Sequence, residues 1–320
     1  MKIPLPWLNR GRRKSGRVGL SVGPDGLCLA QLDGRGKLVH CAFYPGQDDM
    51  AAQLQQLVAE HQLKEMPCSV VLHPAYYQLL LAEAPPVEGA EMSQAVRWKV
   101  KDLLDFPLEQ AAIEHFLLPD DAYRGRQRML YAAALRKTEL QNLVAPVEAS
   151  GLAVDCVEIS ELASHNLVSR LPTEPGGVAL VQLYRKGGFI NLAEEGSLYL
   201  SRRLDVGIDG FDPVADNSAF FDALFLEIQR SLDFYESQLG KGIITQLWYS
   251  PGLPYTADIG SFLSTQLGLN VSALDLSPLQ LVDRIDEELD EQMSMNVTAI
   301  GAALGPLRGQ SAEAPVRAAS

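Results

Sequence analysis

Two strand–turn–strand segments carry the residues that could meet a phosphate. The first reads Val18-Gly19-Leu20-Ser21-Val22-Gly23, turns at Pro24-Asp25-Gly26 and returns through residues 27–32. The second runs through residues 178–184, turns at Arg185-Lys186-Gly187-Gly188 and returns through Phe189-Ile190-Asn191-Leu192. Glycine lets backbone N–H groups approach an anion closely, so Gly19 and Gly23 suit a phosphate cradle. Holding Mg²⁺ and aiming a water would also need a carboxylate on these strands. Ser21 and Gln182 stand there instead. A serine hydroxyl donates one hydrogen bond but does not hold a hard cation as a carboxylate does. The expectation is a duplicated nucleotide cradle whose chemistry has decayed: no catalytic residues, no resident metal and at most a weak ATPase.

Composition narrows the class. A chain of 320 residues with 47% hydrophobic content buries one large core or two to three smaller ones. No run approaches the length of a membrane span, and no secretory h-region is present, so a cytoplasmic protein is expected. Cys28, Cys41, Cys68 and Cys156 are scattered, and the five histidines lack ligand spacing. Neither a disulfide framework nor a metal site is expected. A net charge of −13 argues against a nucleic-acid partner. Residues 1–17 nevertheless carry six cations (Lys2, Arg10, Arg12, Arg13, Lys14, Arg17) and no acid, beside Ile3, Leu5, Trp7 and Leu8. That mixture suits either contact with an anionic membrane surface or a solvated basic tail, because Pro4, Pro6 and Gly11 oppose a regular amphipathic helix.

The elements that must position these residues follow from pattern. After the first hairpin come a strand at 37–43, a helix at 48–62 with Leu54, Leu57 and Val58 inward, a buried strand at 68–72 and another strand at 79–81. Pro85-Pro86 opens a different module. It holds a helix over 88–106 with Met92, Val96, Val100 and Leu103 on one side, strands at 111–118 and 128–135, a helix at 138–150 opened by a Thr138 cap, and a strand at 153–159. A Pro/Gly linker at 172–177 leads to the second hairpin. A long helix at 219–239 then buries a stripe of Phe221, Phe225, Ile228, Leu232, Tyr235 and Leu239. Residues 243–249 read as a core strand, 259–267 as a helix and Val271 as a short edge. The acidic run from Asp283 to Glu291 reads as a solvated helix face. A last helix near 296–304, rich in Ala and Gly, implies close packing against a strand or loop, and the tail from 306 is expected to be disordered.

Four of these segments resemble, in order, the PilM family of actin-like type IV pilus assembly proteins. Residues 226–235, Leu-Glu-Ile-Gln-Arg-Ser-Leu-Asp-Phe-Tyr, resemble its E-I-x-R-S-L-D-F-F helix. Ala95-Val96-Arg97-Trp98-Lys99-Val100 with Phe106-Pro107-Leu108-Glu109 is similar to A-I-R-W-E-A followed by P-F-P-x-E-E. Gly151-Leu152 through Asp155, Glu158 and Asn166 follow its G-L-x-x-x-x-V-D-V-E passage, and 296–304 its A-I-G-L-A-L close. The opening Met1-Lys2-Ile3-Pro4-Leu5-Pro6-Trp7 and Val100-Lys101-Asp102-Leu103 look more like the MshI branch, from biogenesis of the mannose-sensitive haemagglutinin (MSHA) pilus.

The resemblance implies an α/β fold of the actin (ASKHA, FtsA/PilM) type. It has duplicated Rossmann-related halves, the first in residues 17–75 and 158–175 with an α+β insertion at 76–157, the second in 176–305. It also implies a cytoplasmic scaffold, peripheral to the inner membrane, that grips the N-terminal cytoplasmic peptide of a bitopic PilN-like protein against a sheet edge in its first half. Arg97, Trp98 and Lys101 fall near the family's peptide groove, although Trp98 could equally fill the module's core with Arg97 and Lys99 solvated. ATP binding is known in the family. An ATP-responsive switch is therefore the alternative function, and its ligands would be Gly19, Ser21, Gly23, Gln182, Glu227, Arg230 and Gly252. This chain departs from the family at the cradle aspartates and inserts Pro251 in the adenosine loop, while Glu227 and Arg230 are spaced to pair on a helix surface instead. Self-association, as in actin, is left open.

Overall fold

The computed structural model describes residues 15–123, 128–173, 175–212, 214–250, 256–283 and 287–306. The chain forms two compact units. One comprises Met1–Leu118, Gln127–Asn166 and Thr298–Ser320, the other Pro119–Arg126 and Leu167–Val297.

The first unit is built on β1 (Arg17–Gly23), β2 (Gly26–Leu32), β3 (Leu38–Pro45), β4 (Pro67–Leu72) and β8 (Ala153–Ile159), in the order β3-β2-β1-β4-β8. The β1–β2 and β2–β3 pairs are antiparallel hairpins, and β4 and β8 run parallel to β1. Every residue of β4 is buried, as a strand flanked on both sides requires. Helix α1 (Met50–Glu60) starts at Asp49, whose carboxylate accepts from Ala52 N at 3.0 Å, and buries Leu54, Leu57 and Val58 as the pattern predicts.

A second, three-stranded sheet in this unit joins β5 (Gln78–Glu83), β7 (Met129–Arg136) and β6 (Ala111–Leu117), with β7 central. Helix α2 (Ala90–Val100) lays Val96 and Val100 against Ala82, Ala84, Leu130 and Ala132. The expected continuation to residue 106 is interrupted: residues 101–103 tighten into a 3₁₀ turn, which leaves Leu103 51% exposed rather than on the buried side. Helix α3 (Lys137–Ala149) begins one residue before the expected Thr138 cap, and no side chain caps it. Helix α4 (Ser160–Val168) has no counterpart in the pattern reading, because its buried residues include Ser160, Glu161, Ser164, His165 and Asn166.

The second unit repeats the first sheet's plan. Its strands are β9 (Gly177–Leu183), β10 (Gly188–Glu194), β11 (Ser197–Leu204), β12 (Ile244–Ser250) and β13 (Asn270–Ala273), ordered β11-β10-β9-β12-β13 with two antiparallel and two parallel pairs. Helix α5 (Ser218–Ser237) buries Phe220, Leu224, Ile228, Ser231 and Tyr235. This face is rotated from the expected one, leaving Phe221, Phe225 and Leu232 only half-buried. Ser231 tolerates burial because its hydroxyl donates to Glu227 O at 2.8 Å. Helices α6 (Thr256–Leu267) and α7 (Glu287–Met295) follow.

The last helix, α8 (Val297–Leu304), lies almost wholly in the first unit, where Ala302 meets Val71 and Ala163. Its expected place was the second half; its small residues are what let it pack on the first. Pro119–Arg126, between β6 and β7 in the chain, groups with the second unit. There Lys241 lies 4.0 Å from the centre of the Tyr199 ring, and Asp121 accepts from Tyr199 at 3.1 Å and from Lys241. All four cysteines are free thiols.

Candidate functional site

β1 and β2 are joined by the two residues Pro24 and Asp25, and Gly23 pairs with Gly26. Gly26 has φ +149, and a Cβ there would strike Tyr44 O, so glycine is required at the turn. Gly19 serves a different purpose from the one expected. A Cβ on it would fall inside Ala299 O and within 2.7 Å of Ala303 N, so its missing side chain admits α8. A Cβ on Gly23 would lie an ordinary 3.4 Å from the His73 ring. Ser21 is 8% exposed, set between Cys28 on β2 and Val71 on β4.

In the second hairpin Gln182 is buried on β9 opposite Phe189. Its tip is covered by the unit's own backbone: Ile208 N donates to Tyr184 O at 2.8 Å, Asp209 N to Arg185 O at 2.9 Å, and Arg185 Nε to Asp209 Oδ1 at 3.0 Å. Glu227 does not form the expected i,i+3 ion pair with Arg230. Its carboxylate accepts from Asp205 N at 2.9 and 3.2 Å, which ties α5 to the end of β11, while Arg230 O accepts from Arg202 at 3.3 Å. Burial raises the Glu227 pKa, opposed by the backbone N–H groups of Asp205 and Val206. Gly252 lies outside the described residues. Among the described residues, then, no cradle position supplies a carboxylate for Mg²⁺, one cradle glycine is committed to packing, and Glu227 is committed to backbone. These residues do not fit a bound Mg²⁺–nucleotide.

The first unit offers another site. Among the described residues β6 is an edge strand, paired only with β7. Leu118 N donates to Met129 O at 2.9 Å, which fixes the alternation of the ladder. The pairs 116/131, 114/133 and 112/135 are then hydrogen-bonded, and residues 111, 113 and 115 turn their N–H and C=O groups away from β7. Ala111 agrees, because its outward carbonyl accepts from Arg97 at 3.1 Å. Ile113 and His115 thus present a strand edge of the kind that takes an added strand.

Beside this edge is a pocket of about 200 Å³. Its walls come from β6 (Ala111 to Glu114), from Ala133 and Leu135 of β7, and from Leu72 and Ile159 at the C-terminal ends of parallel strands β4 and β8. Space arises from small residues: Ala111, Ala112 and Ala133 stand where larger side chains would fill it. Polar groups ring it. Tyr77 OH donates to the fully buried Glu161 and accepts from Ser160 N at 3.2 Å, and Glu158 accepts from Asn166 at 3.1 Å. Glu114 is desolvated there, and burial pushes its carboxyl up to about 7.

Three cations fasten the turn that starts β6. Arg97 also donates to Leu108 O at 3.1 Å, Lys137 to Glu109 O at 2.8 Å, and Arg136 to Gln110 Oε1 at 2.5 Å with its guanidinium over the Phe106 ring. Of the expected partner-binding residues, only Arg97 lines the pocket, and it is anchored rather than solvated. Trp98 is not a core residue: it is 60% exposed, with Lys101 Nζ 5.8 Å from its ring and Lys99 paired to Glu83 at 3.5 Å. Tyr77, Ile113, Glu114, His115 and Lys137 escaped the sequence reading. The paired Ala-Ala runs on β6 and β7 were the available signal.

No family model matches the chain, and no curated protein matches it either. Solved structures do. The chain is 20% identical to a PilM–PilN type IV pilus biogenesis complex, with TM-score 0.74 over 92% of this chain and 98% of that one. It is 12% identical to the cytoplasmic domain of EpsL, an inner-membrane component of the Vibrio cholerae type II secretion system, with TM-score 0.53 over 91% and 96%. A Bacteroides thetaiotaomicron protein with an actin-like ATPase fold matches at 9% identity and TM-score 0.54 over 89% and 95%. The fold is actin-like, as expected from the sequence.

Proposed function

We propose that this protein is a cytoplasmic, non-catalytic scaffold of a type IV pilus assembly platform, and that the open edge of β6 with its adjoining pocket grips the N-terminal cytoplasmic peptide of a bitopic PilN-like inner-membrane protein. The observation that carries this reading is the outward backbone of Ile113 and His115 beside a pocket at the ends of β4 and β8. An extended peptide added there gains main-chain hydrogen bonds, and its alternate side chains reach the pocket. The likeness to a PilM–PilN complex supports the choice of partner. The MSHA system is the proposed pilus type, on the opening seven residues and residues 100–103.

ATP hydrolysis is not part of the proposal, because Ser21 and Gln182 replace the carboxylates a metal would need and Gly19 admits α8 instead. Residues 1–14 lie outside the described residues. Arg17, counted with that basic segment, is the first residue of β1 and pairs with both carboxylate oxygens of Asp155 at 2.7 and 3.0 Å. The test is fluorescence anisotropy with the N-terminal peptide of the PilN-like protein against wild type and His115→Pro. Proline removes one outward N–H that β7 does not use. Saturable binding that is lost in the variant, with an unchanged thermal melt, is the expected result. Equal binding by both proteins contradicts the proposal.

A further inference from the structure

The open edge of β6 has two closed ends. Ladder alternation turns the N–H and C=O groups of Ala111, Ile113, His115 and Leu117 away from β7. At Ala111 both are already taken: its N–H donates to Leu108 O, and its C=O accepts from Arg97 at 3.1 Å. The same guanidinium reaches Leu108 O at 3.1 Å, so its planar fork spans the 3₁₀ turn of residues 108–110 and holds it against the first residue of the strand. Past Leu117 the next residue of that parity is Pro119, which has no N–H to offer. Between these stops, no hydrogen bond among the described residues engages the outward backbone of Ile113, His115 and Leu117.

Resting on the strand-addition reading above, we infer that Arg97 is a positioning residue that sets the register and length of the captured peptide: by closing the edge at Ala111 it confines the added strand to the five residues facing Ile113 to Leu117. Three alternate amides of that strand donate to β6. This holds for either strand direction, because the carbonyls of Ile113, His115 and Leu117 accept in both. A slip of two residues toward Ala111 would have to displace the guanidinium from a carbonyl it already satisfies. A slip of two toward Pro119 loses a donor, and a slip of one turns every peptide side chain to the other face. One register is left.

The experiment uses the full chain and the N-terminal peptide of the PilN-like protein, with each backbone amide of the peptide N-methylated in turn, titrated into wild type and Arg97→Met. In wild type, methylation at three alternate positions is expected to weaken binding by about three- to tenfold each, the size of one lost hydrogen bond, while the amides between and beyond them are silent. Arg97→Met uncovers the Ala111 carbonyl, so a fourth sensitive amide joins one end of the alternating series, whatever the overall affinity. A purely structural role for Arg97 would lower every affinity together and leave three. The wild-type series tests the length without any variant. Four sensitive amides in wild type, or three in the variant, overturn the assignment of Arg97 and leave strand addition standing. Binding without alternation overturns both, and so does failure of every peptide to bind.

Discussion

Gly19 on β1 lies directly beneath Ala299 on α8, so close that a Cβ on the glycine would overlap the alanine's carbonyl oxygen. The contact links the first hairpin to the last helix and accounts for two sequence features at once. A glycine typical of phosphate cradles and a small-residue helix near the C-terminus prove to be two sides of one packing contact. Replacing Gly19 with alanine is predicted to cost about 1–3 kcal/mol or more, as overpacking does. Because the obstruction is backbone, Ala299→Gly should not rescue it. Urea denaturation of the single and double variants checks both statements.

The cradle itself is expected to be inert. Ser21 and Gln182 are 8% and 4% exposed. Introducing aspartate at both positions should lower stability by burying unpaired charge, by about 1–3 kcal/mol for each unsatisfied group. Isothermal titration with Mg²⁺–ATP should show no binding to either wild type or the double variant. Metal-dependent affinity in the double variant would mean that the cradle geometry survives.

Glu114 makes stability depend on pH in a defined direction. Its folded pKa, about 7, is above the ordinary 4.5, so the native state keeps a proton that the unfolded chain has lost. Its contribution to stability falls as pH rises from about 4.5 to about 7 and is fully lost above that. Glu114→Gln should remove this component and be more stable than wild type at pH 8. Denaturant midpoints of both proteins between pH 4.5 and 8 decide the matter.

Arg97 and Trp98 are adjacent in sequence and opposite in role. Trp98→Ala is predicted to change stability by no more than about 0.5 kcal/mol, as exposed positions do. Arg97→Ala strips donors from Leu108 O and Ala111 O, should cost about 1–2 kcal/mol, and should weaken peptide capture by loosening the start of β6. Thermal melts together with peptide anisotropy separate the two effects.

Much of the fold was legible because its strands and helices bury apolar residues at simple periods. The two hairpins, the run of buried β4 and the Leu54/Leu57/Val58 face of α1 all read directly from the sequence. Periodicity failed where burial is not apolar. Helix α4 buries Ser160, Glu161 and Ser164, with Ser160 Oγ donating to Leu72 O at 2.9 Å, a pattern that resembles a surface stretch. The buried stripe on α5 differs from the apolar one because Ser231 is buried where Leu232 was expected. The groove was least visible of all. An open strand edge is a property of pairing, not of side chains, and a pocket made by alanines is marked only by what they lack. Arg97 was found through its neighbours in the chain, whereas Glu114 stood alone in an otherwise ordinary strand.

The most direct measurement is hydrogen–deuterium exchange resolved to single amides, with and without the N-terminal peptide of the PilN-like protein. The account predicts that the outward N–H groups of Ile113 and His115 exchange slowly only when peptide is bound, while Glu114 and Phe116, which already bond to β7, change little. Saturable binding with unchanged exchange at Ile113 and His115 would contradict it, because the peptide would then be held elsewhere.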